Sequence, residues 1–327
     1  MRDQYRIKRR IATIPINAGG FNTIDIPRGY DYESIHMRIV GGVQVTGAAT
    51  SVRAESPCQA VARAELIIDG RTTAFSAPFW YACLGNIGRA LTDASARATT
   101  PPSGVGVATY QVEAIGVIDL AYTEGERPKD SNLRTSGMSL FQLRVTFGNP
   151  AELFVGGTIV FSNLNLEVYT CEVVERPDAQ GNFTTPFMFR KVSFQEVAVP
   201  TTNANQEIRV PAGNLISKVT VRTEGNVTAG EPTTGVLNGA QLTSGIDVRL
   251  ALTGGQIRAM NNSDYGLVTP GYYVLDVLSK GRSPRLLSEA WDVQGQAEPK
   301  VLLDIVGGAN VRAQVVTEEF IPAQKAA

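Results

Sequence analysis

Few residues in this chain could do chemistry. Its 327 residues include one histidine, His36, and three well-separated cysteines, Cys58, Cys83 and Cys171. In Ile35-His36-Met37-Arg38-Ile39 the histidine alternates with apolar neighbours, which puts it on a polar face beside Arg38. A hydrolytic triad needs a partnered imidazole and a nucleophile on a tight turn, and no G-x-S-x-G is present. A cupin-type metal centre takes several histidines, so one histidine argues against it. Neither G-x-x-x-x-G-K-[ST] nor G-x-G-x-x-G occurs, which leaves nucleotide binding without support. No C-x-x-C occurs either, so the thiols read as small buried apolar groups and not as zinc ligands or a redox pair. The expectation is no catalytic set, no metal and no cofactor.

Two carboxylates would suffice for glycoside hydrolysis, and one pair stands out. Asp119 and Asp276 sit in matching surroundings, Val117-Ile118-Asp119-Leu120 and Val274-Leu275-Asp276-Val277. Equivalence points to a shared structural task, such as bonding a turn, because a catalytic centre is usually unique. Basic residues gather at the start, where Arg2, Arg6, Lys8, Arg9 and Arg10 face only Asp3. They form a candidate membrane- or genome-facing arm, against the plainer reading of a solvated terminus. The whole chain is balanced, with 30 Lys+Arg against 31 Asp+Glu, which argues against a nucleic-acid footprint over its entire surface. The start lacks the apolar stretch of a secretory signal, and no segment approaches the ~20 apolar residues of a membrane span. A soluble protein of a reducing compartment is expected.

The elements that position these residues are written twice. Ile24-Asp-Ile-Pro27-Arg-Gly29 returns as Ile208-Arg-Val-Pro211-Ala-Gly213, and Arg38 returns as Arg222, all 184 positions on. Residues 12–20 face 197–205, and 117–128 resemble 274–284, with Asp119 and Asp276 separated by 157 positions. More weakly, 140–148 match 300–308 at a separation of 160. Four blocks in the same order imply a repeat unit the size of a domain, far beyond the ~20–50 residues of a solenoid unit. The expected domains are 1–186 and 187–327, parted in the polar, Pro- and Gly-containing stretch 175–186. The first is expected to carry about 27 extra residues, placed near 70–105.

Alternation dominates each copy, at 35–39, 64–68, 109–122, 140–147, 158–171, 219–222, 248–253, 272–278, 301–306 and 311–320. About seven or eight strands per copy, with Gly, Pro and Asn turns between them, predict two antiparallel sheets packed face to face. In I-x-[IV]-P-x-G the proline ends a strand by withdrawing a backbone donor, and the glycine accepts a positive φ. Helical periodicity is expected only at 79–94, as an ornament of the first copy, and in a short helix over 284–291 with a counterpart at 128–134.

Duplicated eight-stranded sandwiches, the two corners IDIPRG and IRVPAG, and the paired V-[IL]-D-[LV] strands together resemble the double jelly-roll major capsid proteins of tailless icosahedral viruses. The resemblance covers essentially the whole chain. It implies an all-β fold of two tandem jelly rolls, no catalysis, and a homotrimer whose six similar jelly rolls tile a shell. It further implies neighbouring capsomers and penton or minor capsid proteins as partners, with lipid or genome at the inner face beside the basic arm. The implied location is the virion, after synthesis in the host cytoplasm. Residues 46–62, 75–110 and 223–243 become loop candidates. An alternative is another virion protein or a glycan-binding tandem sandwich, for which Phe79-Trp80-Tyr81 is the only aromatic hint.

Overall fold

In the computed structural model, residues 4–84, 101–122, 131–175, 188–225, 230–266, 269–278 and 287–322 are described. Contacts divide the chain into two compact units that part between Lys191 and Val192. The stretch expected to hold the boundary, 176–186, lies outside the described residues.

The first unit contains β1 (Gln4–Pro15), β2 (Phe21–Asp25), β3 (Asp31–Gly47), β4 (Ser51–Val52), β5 (Val61–Ile68), β6 (Thr72–Pro78), α1 (Phe79–Leu84), β7 (Ala108–Asp119), β8 (Leu133–Arg134), β9 (Phe141–Phe147), β10 (Phe154–Val155) and β11 (Thr158–Glu175). Its strands follow two orders, β1-β11-β3-β7 and β2-β9-β5-β6. The second unit contains β12 (Met188–Ala198) from Val192 onward, β13 (Asn203–Arg209), β14 (Leu215–Glu224), β15 (Leu237–Ser244), β16 (Asp247–Thr253), α2 (Gly254–Tyr265), β17 (Tyr272–Asp276), β18 (Trp291–Asp292), β19 (Pro299–Ile305) and β20 (Arg312–Pro322). Here the orders are β12-β20-β14-β17 and β13-β19-β15-β16. Strand for strand, these are the same two orders, and both are those of a jelly roll.

The alternation of residue types decides the faces. Ile35, Met37 and Ile39 of β3 are fully buried, while His36 and Arg38 between them point outward. On β9, Phe141, Leu143, Val145 and Phe147 enter the core and Gln142, Arg144 and Thr146 do not. The second core repeats this with Val219 and Val221 of β14 and Val301, Leu303 and Ile305 of β19. Each such side chain contributes about 1.5–3 kcal/mol when taken from water.

The registers carry the repeat into three dimensions. Ser34 lies opposite Asp119, and Lys218, 184 positions after Ser34, lies opposite Asp276. The backbone bulges on β3 at Glu33 and on β14 at Ser217, again 184 apart. Both bulged carbonyls accept from the residue after the aspartate: Leu120 N at 2.9 Å and Val277 N at 3.2 Å. Such a bulge bends the strand and frees one carbonyl to hold a neighbouring turn.

Three expectations are corrected. The helix predicted at 79–94 is not an ornament, because α1 and α2 hold the same place, after β6 and after β16; residues 85–94 lie outside the described ones. The short helix expected over 284–291 is instead a 3-10 turn at Leu287–Glu289 followed by β18, and residues 283–286 are outside the described ones. Its counterpart ends in β8, and the two short strands β8 and β18 pair with the starts of β3 and β14. Finally, Ile24 faces Leu143 and Ile208 faces Val301, so β9 and β19 match at 158 positions and not at 160. A slip of two residues keeps every side chain on its face, so alternation alone could not detect it.

The packing of α1 depends on a missing side chain. A Cβ at Gly116 of β7 would stand 2.6 Å from the Phe79 ring and 3.1 Å from the Ala82 methyl. Gly116→Val is expected to cost about 1–3 kcal/mol by overpacking. The measurement is the urea midpoint, and an unchanged midpoint would show that α1 does not sit against β7.

Candidate functional site

The two repeated corners are built alike. Pro27 and Gly29 lie between β2 and β3, and Pro211 and Gly213 between β13 and β14. The glycines take φ of 99° and 90°, the left-handed region where a Cβ is costly. Ahead of the prolines, Ile26 N donates to Phe141 O at 2.9 Å and Val210 N to Pro299 O at 3.1 Å. After them, Thr135 N donates to Tyr30 O and Val293 N to Asn214 O, both at 3.1 Å. A short polar turn thus fixes where β3 and β14 begin.

Asp119 and Asp276 close β7 and β17 and lie in separate units. Asp276 accepts from Leu278 N at 3.0 Å and from the Tyr265 hydroxyl at the end of α2, so it holds its own turn to its own helix. Asp119 is buried and lies 3.6 Å from the Arg190 guanidinium.

The basic start is a strand. β1 pairs antiparallel with β11 from Gln4 opposite Glu175 to Pro15 opposite Asn165. Arg6 Nε is 2.7 Å from Glu33, Arg9 Nε is 2.8 Å from Glu172, and Arg10 Nη1 is 3.2 Å from Glu167. Arg2 lies outside the described residues. Arg38 extends the ladder to Glu113 at 2.5 Å and Glu167 at 3.1 Å. The hydrogen bond from the Tyr169 hydroxyl, then the Arg38 guanidinium, hold the Glu167 carboxyl below the usual range. Lys8, His36, Arg38, Ile115, Tyr169 and Thr170 line a shallow cavity of about 250 Å³ on this face. His36 Nε2 lies 3.0 Å from the Ser34 hydroxyl, and Ser34 is buried, so that hydroxyl is not offered to a substrate. The glycan hint fades, because Phe79, Trp80 and Tyr81 are buried in α1.

A further repeated block escaped the sequence analysis. Val168-Tyr-Thr170-Cys-Glu172 returns 147 positions on as Val315-Val-Thr317-Glu-Glu319. Glu172 and Glu319 are both fully buried, opposite Tyr32 and Ile216 at the two bulges. Glu172 accepts from Arg9 and, at 2.8 Å, from the Thr170 hydroxyl, and Glu319 accepts from the Asn214 amide. Burial keeps a carboxylate only where donors meet it, so each bulge is organised around an internal acid. V-x-T-x-E, taken as one more block, was the available signal.

Among the described residues no group of three His, Cys, Asp or Glu is placed to hold a metal ion. No family model matches the chain, and no curated protein sequence matches it. Solved structures do. A chain from the atomic structure of Sulfolobus Turreted Icosahedral Virus aligns with a TM-score of 0.73 at 14% identity, over 97% of this chain and 91% of that one. The major capsid protein P2 from Bacteriophage PM2 aligns with a TM-score of 0.59 at 14% identity, over 97% of each chain. The chain has the double jelly-roll fold. A chain of the PBCV-1 virus capsid shares it, with a TM-score of 0.66, 13% identity, and coverage of 98% of this chain and 94% of that one. At such identities the likeness is one of fold. It spans both jelly rolls and is not confined to one.

Proposed function

We propose that this chain is a major capsid protein, a structural subunit of a virus shell without enzymatic activity. The observation that carries the reading is the pairing of whole-length likeness to capsid proteins with two jelly rolls of identical strand order. Duplication has a direct use in a shell. Three chains around a closed three-fold axis present six similar jelly rolls, so one gene product can fill a hexagonal lattice. Neighbouring capsomers are the first partners, penton or minor capsid proteins close the vertices, and the virion is the location. Exposed Phe21, Val107 and Ile246 are apolar surface that such a lattice would cover. Lys8, Arg6 and Arg10 on the outer face of β1 remain the residues for anionic lipid or genome.

The test is size and shape. Light scattering of purified protein at micromolar concentration is expected to give three times the chain mass, and negative stain a tile with pseudo-six-fold outline. An obligate assembly of this kind buries more than about 2,000 Å². A monomer under these conditions would overturn the reading.

A further inference from the structure

One cation on the outer face of the β1-β11-β3-β7 sheet is left uncommitted. The register sets Arg38 opposite Ile115 in one row, Tyr169 opposite His36 in the next and Lys8 opposite Cys171 in the third. Residues two apart on a strand share a face, so Lys8, His36 and Arg38 gather around Tyr169. These four and Ile115 line the shallow cavity of about 250 Å³. The arginines of this face are each answered by a carboxylate: Arg6 by Glu33, Arg10 by Glu167, and Arg38 by Glu113 and Glu167. Lys8 is exposed, and among the described residues no carboxylate pairs with it. The surplus positive charge of the face therefore sits on Lys8, in the wall of a cavity that also holds the chain's one imidazole.

We propose that Lys8, His36 and Arg38 form a seat for a single phosphate ester, with the ester carbons against Ile115 and Tyr169. The cavity is smaller than the ~300–1,000 Å³ of sites for drug-sized ligands, so it suits a headgroup-sized anion. Arg38 commits Nε to Glu113 and Nη1 to Glu167, which leaves neither two-nitrogen fork open to grip a carboxylate. Lys8 offers a compact ammonium with three donors, which suits a phosphate whose oxygens point several ways. Ile115 and the Tyr169 ring make the rest of the wall apolar, a surface for carbon and not for a bare ion. A nucleic-acid backbone fits less well, because it calls for free cations at successive phosphates. Here Arg6 and Arg10, on either side of Lys8, are already paired. The inference deepens the reading of β1 as an anion-facing strand and rests on it for the source of the phosphate. The seat itself needs one chain only, and the capsid reading is tested apart from it by light scattering.

A single histidine makes its imidazole resonance a reporter of this cavity alone. Full-length protein carrying isotope-labelled histidine is titrated at low salt with glycerol phosphate, and with glycerate as the carboxylate counterpart. Glycerol phosphate is expected to move the imidazole signal saturably and to bind more tightly than glycerate. By calorimetry, Lys8→Gln is expected to weaken binding about tenfold, the effect of one lost hydrogen bond to a charged group. His36→Gln is expected to weaken it several-fold. Arg249→Gln, the same loss of charge on β16 of the second unit, is expected to bind as wild type does. Sedimentation with vesicles of phosphatidylcholine and phosphatidic acid then separates the sources of the phosphate. Protein carried down by the vesicles and released by glycerol phosphate places the group on a lipid headgroup. Binding of the free ester without co-sedimentation places it on a small solute. No saturable shift at millimolar ester, glycerate binding as tightly, equal losses in Lys8→Gln and Arg249→Gln, or displacement of the ester by an oligonucleotide at equal phosphate concentration would each overturn the proposal. The wild-type comparison of ester with glycerate decides the matter even where a variant fails to fold.

Discussion

Arg222→Ala is expected to destabilise the protein by about 3–5 kcal/mol, the cost of leaving a buried charge without its partner. The Arg222 side chain is only 1% exposed and the Glu224 side chain 9%. The guanidinium bonds the Glu224 carboxylate, the Gln314 side chain at 3.3 Å and the Gly230 carbonyl at 2.7 Å. What buries it is the chain after β14, which folds back over the strand end: Thr233 N donates to Thr223 O at 2.9 Å and Gly225 N to Glu231 O at 3.3 Å. The repeat supplies its own control. Arg38 stands 184 positions earlier and reaches the equivalent strand, where Glu167 takes the place of Gln314. Its side chain is 36% exposed, so Arg38→Ala should cost under about 1 kcal/mol, as exposed pairs do. Replacing both buried partners, Arg222→Met with Glu224→Leu, should recover most of the loss, since two apolar side chains leave no charge stranded. Urea midpoints of the four proteins test this. Equal losses at positions 38 and 222 would mean that burial does not set the cost.

The contrast between these two arginines shows what the sequence could and could not disclose. Equivalence was legible, because proline, glycine and arginine recur at fixed spacing and backbone corners constrain residue type strongly. The all-β class was legible in the same way, through alternation. Burial was not, because it depends on a loop that differs between the copies. β15 fell within a stretch expected to be a loop, since Leu237-Asn-Gly-Ala-Gln-Leu-Thr-Ser has too few large apolar residues to alternate clearly. Only Leu237, Ala240 and Leu242 mark its inner face. α2 was missed because its Gly-Gly start and Asn-Asn centre have poor helix propensity. Its stability comes instead from the Thr253–Gln256 capping box and the left-handed Gly266 that ends it, and T-x-x-Q was the signal to read. Asp119 and Asp276 were legible as a pair but not in their bonding, which differs because Asp276 meets the Tyr265 hydroxyl of α2 while Asp119 lies against the Arg190 guanidinium.

The arginines of β1 are expected to divide into one that holds the strand and two that face outward. Glu172 is wholly buried, so Arg9→Ser leaves an internal carboxylate with the Thr170 hydroxyl as its remaining donor. The Arg9 side chain is 40% exposed and keeps part of its hydration, which limits the expected loss to about 1–3 kcal/mol. Arg6 and Arg10 are 62% and 57% exposed, and their pairs with Glu33 and Glu167 should contribute no more than about 1 kcal/mol each. Attraction to an anionic surface ranks them the other way. Each exposed basic residue near lipid headgroups or packaged genome is worth on the order of 1 kcal/mol, and a trimer multiplies it through effective concentration. On the proposed capsid reading, the triple variant Arg6→Ser, Lys8→Ser, Arg10→Ser should therefore keep its fold and trimer, yet bind anionic liposomes more weakly at low salt and yield fewer particles. Arg9→Ser should do the reverse, melting earlier while binding liposomes as wild type does. If the triple variant binds and assembles like wild type, the outward charges of β1 serve only their own strand, and the arm has no partner beyond it.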